Sequence, residues 1–386
     1  MSTYQFYAPK CSLFGAGSLT GIGEEITKRG YRKALVVTDQ SLIKLGLVKK
    51  VTDVLKDHQI GYAIYDGVKP NPTVENADRG LAVLKQEACD FVISIGGGSA
   101  HDCAKAVTIL ASNGGSILDY RGADKSRVMP LPLIAVNTTA GTASETTRAF
   151  VIVDENTGEK FGSKDQNVIP VVAVDDHELM MGLPKGLTAG TGMDALTHAV
   201  EAYTSVNGFL ITSELALSAI RVIFRNLEQA ALRPDEKSRE GMAVGQYLAG
   251  LAFGSAGCGL VHSMSHQLSA VYDLPHGLCN AILLPAVCRF NCSDPGARRK
   301  YAEIGEFLFP VETQGKSIEE KAEFFIAGVE RLSEKVGTKL PLSELKVKAE
   351  DIPLLAQKAL LDGSLGNNPV QPDKAQVEAL FAELME

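Results

Sequence analysis

Around residues 181–186 (MGLPKG) the chain changes its hydrophobic rhythm, and that change limits the folds open to it. Before the break, short apolar runs alternate with longer segments whose apolar residues recur at helical period. KALVVTD (33–39), YAIYDG (62–67), DFVISIGGG (90–98) and LPLIAVNT (131–138) each end in turn residues or glycine. VIPVVAV (168–174) is a further run of buried-strand length. Residues 41–59 and 73–88, lying between these runs, read as helices. Strands alternating with helices of this length imply βαβ units and a mainly parallel sheet, which binds ligands beyond the carboxyl ends of its strands. After the break the segments are long and rich in Ala and Leu: LTAGTGMDALTHAVEAYTS, SELALSAIRVIFRNLEQAAL, REGMAVGQYLAGLAF and EEKAEFFIAGVERLSEKV. Their exposed positions favour Glu, Lys, Arg and Gln, the pattern of packed helices. A chain of 386 residues can house both parts. The expected division is an α/β domain over residues 1–184 and a helical domain over 185–386.

Charge and cysteine usage narrow the partners. A net charge of −8 argues against nucleic acid or an anionic membrane surface. No apolar run approaches the ~18 residues of a membrane span. The opening stretch MSTYQFYAPK lacks the basic-then-apolar pattern of a secretory signal. Seven cysteines without a CxxC motif suit a reducing compartment. A cytoplasmic protein is the expectation.

The histidines are unevenly placed. The chain has seven, and four of them fall with one aspartate in two motifs: Asp194 and His198 in TGMDALTHAVEAY, and His262, His266 and His276 in GLVHSMSHQLSAVYDLPHG. Asp194 and His198 are four apart, as are His262 and His266, so each pair projects from one face of a helix. His276 sits in Pro275-His276-Gly277, which reads as a rigid turn of close approach. One carboxylate with several imidazoles is a donor set for Fe²⁺, Zn²⁺, Mn²⁺ or Co²⁺. Spacing leaves open which of the four histidines ligate. His58 lies in a charged stretch and His177 follows Asp175-Asp176 in a turn, so neither is given a ligand's role. His101 reads as a supporting or helix-capping residue. Cys258, four before His262, falls near this constellation, while Cys103 and Cys279 read as small core residues, and none is assigned to catalysis.

Two turns rich in glycine and hydroxyl side chains follow predicted strands. One is Gly96-Gly97-Gly98-Ser99, leading into a helix; the other runs from Thr138 and Thr139 through Gly141, Thr142 and Ser144. A strand, a run of glycines and a helix start let a phosphate approach backbone N–H groups and the positive end of the helix dipole. Neither turn is GxGxxG, so each also reads as a tight structural turn; two in one sheet favour a nucleotide. Asp39, at the end of the first clear strand, reads equally as a ribose-binding acid or a helix N-cap.

Taken together, the motifs LFGAGSL, DGVKPNPT, SIGGGSAHDCAK, NTTAGTASE, TGMDALTHAVEAY, GLVHSMSHQL and LPHGLCNAILLP cover nearly the whole chain. In them the sequence resembles the iron-dependent (group III) alcohol dehydrogenases, near the branch of lactaldehyde/propanediol oxidoreductases and 1,3-propanediol dehydrogenases. The resemblance implies a Rossmann-like α/β nucleotide-binding domain with a parallel sheet, followed by an all-α metal-binding domain. It also implies that Asp194, His198, His262 and His276 bind the metal, Fe²⁺ with Zn²⁺ as competitor, and that His266 is the unligated histidine beside nicotinamide and substrate. Gly97, Gly98, Ser99, Thr138, Thr139, Thr142 and Lys160 would line the NAD(H), and Asp39 would select it over NADP. Relatives of this kind are commonly dimers or larger.

Three departures stand out: Ala100 in the glycine motif, Gly162-Ser163-Lys164-Asp165 after the Lys-Phe pair, and Phe253-Gly254-Ser255-Ala256-Gly257-Cys258 before His262. A lysine and small residues in these places suggest a substrate with a polar or anionic tail. The function expected is metal-dependent, NAD(H)-linked interconversion of a small primary alcohol or diol and its aldehyde. A glycerol-type dehydrogenase and a dehydroquinate-synthase-like cyclase are rivals of related fold; the cyclase lacks the basic cluster a phosphorylated substrate needs. A metal hydrolase is the rival of another class, and it leaves the glycine turns without a purpose.

Overall fold

The computed structural model describes residues 3–386 and divides into two compact units, Phe6–Gly182 and Leu183–Glu386, the latter joined by the amino-terminal residues through Gln5. The first two residues of the MSTYQFYAPK stretch lie outside the described residues.

The first unit opens with β1 (Ser12–Phe14), α1 (Ile22–Arg29), β2 (Lys33–Val37), α2 (Gln40–Lys44) and α3 (Leu47–Asp57). It continues with β3 (Gly61–Tyr65), α4 (Val74–Gln86), β4 (Phe91–Gly96), α5 (Gly98–Asn113) and β5 (Gly122–Ala123). Its last elements are the strands β6 (Leu133–Asn137), β7 (Ala149–Asp154), β8 (Glu159–Lys164) and β9 (Val172–Asp175). Six strands form one sheet in the order β1-β9-β6-β4-β2-β3, with every neighbouring pair parallel. Alternation along β2 divides the core in two. Ala34 and Val36 face Ile22 and Ile26 of α1 and Val51 and Leu55 of α3, while Leu35 and Val37 face Cys103 and Val107 of α5. Each such aliphatic side chain taken fully out of water contributes about 1.5–3 kcal/mol. The α/β architecture with a parallel sheet is the one the alternating runs imply.

Local details differ from the sequence reading. Residues 41–59 form two helices rather than one, because Gly46 takes φ 75° between α2 and α3. β1 and a second, three-stranded sheet (β5-β8-β7) were not anticipated. In that sheet β7 and β8 pair antiparallel as a hairpin, and the Gly162-Ser163-Lys164 departure lies on β8.

The second unit is helical: α6 (Lys185–Thr204), α7 (Leu210–Leu232), α8 (Glu236–Ala256), α9 (Leu260–Tyr272) and α10 (His276–Asn291). α11 (Pro295–Leu308), α12 (Ile318–Val336), α13 (Ile352–Ala359) and α14 (Lys374–Glu383) complete it. Among the described residues no single helix is long and apolar enough to cross a membrane. Pro275-His276-Gly277 is the start of α10, with Pro275 at the N-cap, rather than a free turn. Its close approach is real: a Cβ on Gly277 would collide with the carbonyl oxygen of Gly190 in α6 and lie 3.3 Å from the Asp194 Cβ.

Gly277→Ala is therefore expected to destabilise the helical unit by about 1–3 kcal/mol through overpacking. Gly186→Ala, whose added Cβ meets open space, should change stability by less than about 1 kcal/mol. Paired denaturant titrations read both, and equal midpoints would contradict the close approach.

Candidate metal centre and nucleotide cradle

α6 carries Asp194 and His198 on one face, α9 carries His262 and His266, and His276 opens α10. The three helices bring their donors together. Asp194 Oδ1 lies 3.8 Å from His262 Nε2 and 3.7 Å from His276 Nε2. His198 Nδ1 is 3.9 Å from the same oxygen, and its ring stacks on Phe253 at 4.0 Å and on His262 at 4.5 Å. A tetrahedral ion bound at ~2.1 Å spaces its donors about 3.4 Å apart, so these atoms stand close to a coordination shell. Asp194, His198 and His262 are each at most 5% exposed. A carboxylate so buried needs a compensating charge or strong hydrogen bonds.

The tautomers can be followed outward from the site. Glu201, also on α6, takes a hydrogen bond from His262 Nδ1 at 2.6 Å, which leaves the Nε2 lone pair directed to the site. The other carboxylate oxygen accepts from Val261 N at 2.7 Å. Burial works to raise the Glu201 carboxyl, but His262 and the N–H groups of Gly259 and Val261 outweigh it, so it sits below its ordinary value. Ser265 Oγ donates to His262 O and stands 3.3 Å from His276 Nδ1, from which it accepts. Asn280 Nδ2 lies 2.7 Å from Asp194 Oδ1, 3.3 Å from His262 Nε2 and 3.2 Å from His276 Nε2. Three acceptors that share one amide donor converge on one point, as metal binding requires.

His266 has a different setting. Its side chain is 28% exposed, its ring stacks on His276 at 5.3 Å, and its Nδ1 hydrogen-bonds Asp362 Oδ2 at 2.8 Å. Burial pushes the Asp362 carboxyl up, while His266 and the Ser364 amide pull it down further, leaving it below its usual value.

In the α/β unit, β2 and β4 are neighbours whose chains leave toward opposite edges of the sheet, β2 to β3 and β4 to β6. This is a topological switch point, where ligands of parallel sheets bind. Asp39 follows β2 there, and Gly96-Gly97-Gly98 ends β4. Gly96 has φ 153°, and a Cβ on it would stand 2.7 Å from that of Ala100, so only glycine fits. Gly97 is the N-cap of α5 with no side-chain cap, and no acidic residue lies in the first turn, so the N–H groups suit an anion. The two turns touch: Cβ atoms on Gly97 and Gly98 would lie 3.0 Å from the side chains of Thr139 and Thr142. Thr138 N bonds Gly96 O at 3.0 Å, and the buried Thr139 Oγ1 has no hydrogen-bond partner among the described residues.

Lys105 fastens the second turn. Its fully buried ammonium donates to Ser144 O, Ser144 Oγ and Ala149 O at 2.6–2.8 Å. Asp102 accepts from Ser144 Oγ and Val151 N. Burial pushes Lys105 down to about 8 despite the nearby carboxylates of Asp102 and Glu145. Lys160, on β8, donates to Asn71 Oδ1 at 3.0 Å, and its charge is felt at Asp102. Asp39 is the N-cap of α2, and its Oδ1 accepts from Ser41 N and Leu42 N. His101 is buried inside α5 on Ser94 Oγ at 2.7 Å and is pushed down to about 3 by desolvation, so it supports the strand and caps nothing.

Glu201, Ser265, Asn280 and Asp362 were not singled out from sequence. Glu201 is three residues beyond His198 and Asn280 four beyond His276, spacings that signal a shared helix face. Asp362 is 96 residues from its histidine and has no local signal.

A parallel α/β unit with a glycine cradle and a helical unit with converging oxygen and nitrogen donors are the parts a metal-dependent oxidoreductase needs. Residues 9–177 match the family described as "Iron-containing alcohol dehydrogenase", and 188–385 match "Fe-containing alcohol dehydrogenase family, C-terminal". The chain is 43% identical over 384 residues to 1,3-propanediol dehydrogenase of Klebsiella pneumoniae, covering 98% of both chains. It is 40% identical over 365 residues to the NAD-dependent methanol dehydrogenase of Bacillus methanolicus, covering 94% of this chain and 95% of the relative. The crystal structure of a 1,3-propanediol oxidoreductase superposes with a TM-score of 0.97 at 42% identity, over 99% of this chain and all of the other. This protein belongs to the iron-containing alcohol dehydrogenase family, whose metal is iron. It is an oxidoreductase of small alcohols and aldehydes, and the matches give a hydrolase no support.

Glu201→Gln keeps the volume but removes the carboxylate that orients His262. It is expected to weaken divalent-metal affinity about ten- to a hundredfold, read by competition with a chromogenic chelator; unchanged affinity would remove Glu201 from the centre.

Proposed function

We propose that Asp194, His198, His262 and His276 hold a divalent ion, Fe²⁺ with Zn²⁺ as the competitor, in the helical domain. Gly97, Gly98, Ser99, Thr138, Thr139, Thr142, Lys160 and Asp39 hold NAD(H) in the α/β domain. The reaction is reversible hydride transfer between NAD(H) and a small primary alcohol or diol and its aldehyde. The observation that carries this reading is the convergence of Asp194 Oδ1, His262 Nε2 and His276 Nε2 on one point. When bound, the ion supplies Lewis acidity toward the substrate oxygen and the dinucleotide carries the hydride.

The chain's own residues set up the rest. Glu201 and Ser265 lock the tautomers of His262 and His276, so each Nε2 offers a lone pair. His266, with Nδ1–H held by Asp362, leaves Nε2 to accept the hydroxyl proton of an alcohol or, in the reverse direction, to return it to the alkoxide oxygen formed as the aldehyde is reduced. The Asp362 carboxylate then faces the imidazolium that forms. The first turn of α5 offers N–H groups to a pyrophosphate. Both N-cap bonds fall on Asp39 Oδ1, which leaves Oδ2 for a ribose 2′-hydroxyl and against a 2′-phosphate. A homodimer or larger assembly belongs to the same reading, supported by exposed Val206 in the connection before α7 and exposed Leu210 and Ile211 at its start. A cytoplasmic setting is supported by seven cysteines, none of them in a disulfide.

The test is NADH consumption by Fe²⁺-reconstituted protein over short aldehydes with plain, hydroxylated, carboxylated and sulfonated tails. Turnover with at least one tail is expected. His266→Ala should lower kcat about 10²–10⁴-fold with iron content unchanged. No turnover with any aldehyde would overturn the reaction, and unaltered turnover in the variant would overturn the histidine's role.

Asp39→Gly costs only a few tenths of a kcal/mol as an N-cap change, so the variant folds. It should raise the kcat/KM ratio of NADP to NAD about tenfold, worth about 1.4 kcal/mol. A constant ratio would show that Asp39 is a cap and nothing more.

A further inference from the structure

The metal donors of the helical unit fall into two overlapping sets. Asp194, His262 and His276 bring one ligand atom each to within 4.8 Å of one another, and so do His198, Cys258 and His262. His262 belongs to both. Cys258 lies in the short connection between α8 and α9, and its thiol is hydrogen-bonded to the His262 side chain. The connection is fastened on either side. Ser205 Oγ donates to Ala256 O at 2.6 Å, Asn367 Nδ2 to Cys258 O at 2.9 Å, and Leu260 N to Asn368 Oδ1 at 3.2 Å. The sulfur is thus held beside His198 and His262, and it does not fall within the tight Asp194–His262–His276 group.

We propose that Cys258 is a metal ligand, and that the His198–Cys258–His262 set draws a thiophilic divalent ion, zinc above all, away from the Asp194–His276 side of the centre. The proposal rests on the metal reading above and adds a donor to it. Softness is the reason. A carboxylate with imidazoles accepts many first-row ions, whereas a thiolate favours Zn²⁺ over Fe²⁺ among them when geometry allows. Coordination replaces the S–H bond with an S–metal bond, and the thiol proton leaves to solvent, so no oxidant or reductant is consumed. Iron is then held by oxygen and nitrogen, and zinc by nitrogen and sulfur, within one pocket.

X-ray absorption at the metal edge distinguishes these shells without reference to activity. Full-length protein is loaded with one equivalent of Zn²⁺ or, anaerobically, of Fe²⁺, and the same is done for Cys258→Ser and Cys258→Ala. Zinc-loaded wild type should show a sulfur scatterer at about 2.3 Å, lost in both variants, while the iron-loaded protein shows only nitrogen and oxygen. Zinc bound without sulfur in the wild type, or sulfur that persists in the variants, would overturn the proposal while leaving the metal centre standing. Failure of either ion to bind stoichiometrically would overturn both.

Discussion

The helical unit depends on a backbone-to-backbone contact. Gly277, second residue of α10, lies so near the Gly190 carbonyl of α6 that no side chain fits between them. This approach carries His276 to within 3.7 Å of Asp194, two residues that lie 82 positions apart in sequence. α9 enters the same space from the other side, fixed by Glu201 of α6, which takes both Val261 N and His262 Nδ1. Glycine at one helix crossing and a carboxylate at the other do the positioning. Buried donors are then held in place without a loop that would have to be ordered first.

The α/β unit solves a different problem, the approach of backbone to a ligand. Gly96 at φ 153° turns the chain out of β4 and into α5, and the hydroxyl turn after β6 packs directly on Gly97 and Gly98. That second turn is held from below by Lys105, a fully buried cation with three oxygen partners within 2.8 Å. An unpaired charge so deep would be costly, and its neutralisation by Asp102 and Glu145 ties α5, the turn and β7 into one piece. The surface of the two turns is rich in Gly and Thr, and its underside is fixed by charge.

How much of this was legible follows from the range of each interaction. Helix-period spacing was enough to place Asp194 with His198 and His262 with His266, because residues four apart share a helix face regardless of the fold. Strand-helix alternation gave the parallel sheet for the same reason. What sequence spacing does not carry is long-range contact. The His266–Asp362 pair spans 96 residues, and the β5-β8-β7 sheet sets the apolar run of β7 beside a polar β8 and a two-residue β5, neither of which carries an apolar run of its own. His276 was misread as a turn because Pro-His-Gly is turn chemistry, yet Pro at an N-cap and helix N-termini share that chemistry. Asp39 shows the converse. The structure shows the N-cap reading, and because both cap bonds fall on one carboxylate oxygen it does not exclude the other.

His262 and His266 sit one helical turn apart on α9, with the same side chain and a carboxylate on each Nδ1. The proposed roles nonetheless differ, and the surroundings of the carboxylates explain why. Glu201 is buried and takes two further backbone N–H groups, so its charge is fixed and the His262 ring is locked with its lone pair inward. A ring so constrained is suited to a metal, which needs a stationary donor. Asp362 holds a ring that is 28% exposed and stacked on His276. That histidine reaches the surface, as a group that exchanges protons with water at every turnover must. The division of labour between the two is therefore set less by the imidazoles than by how deeply the fold buries the acid behind each one.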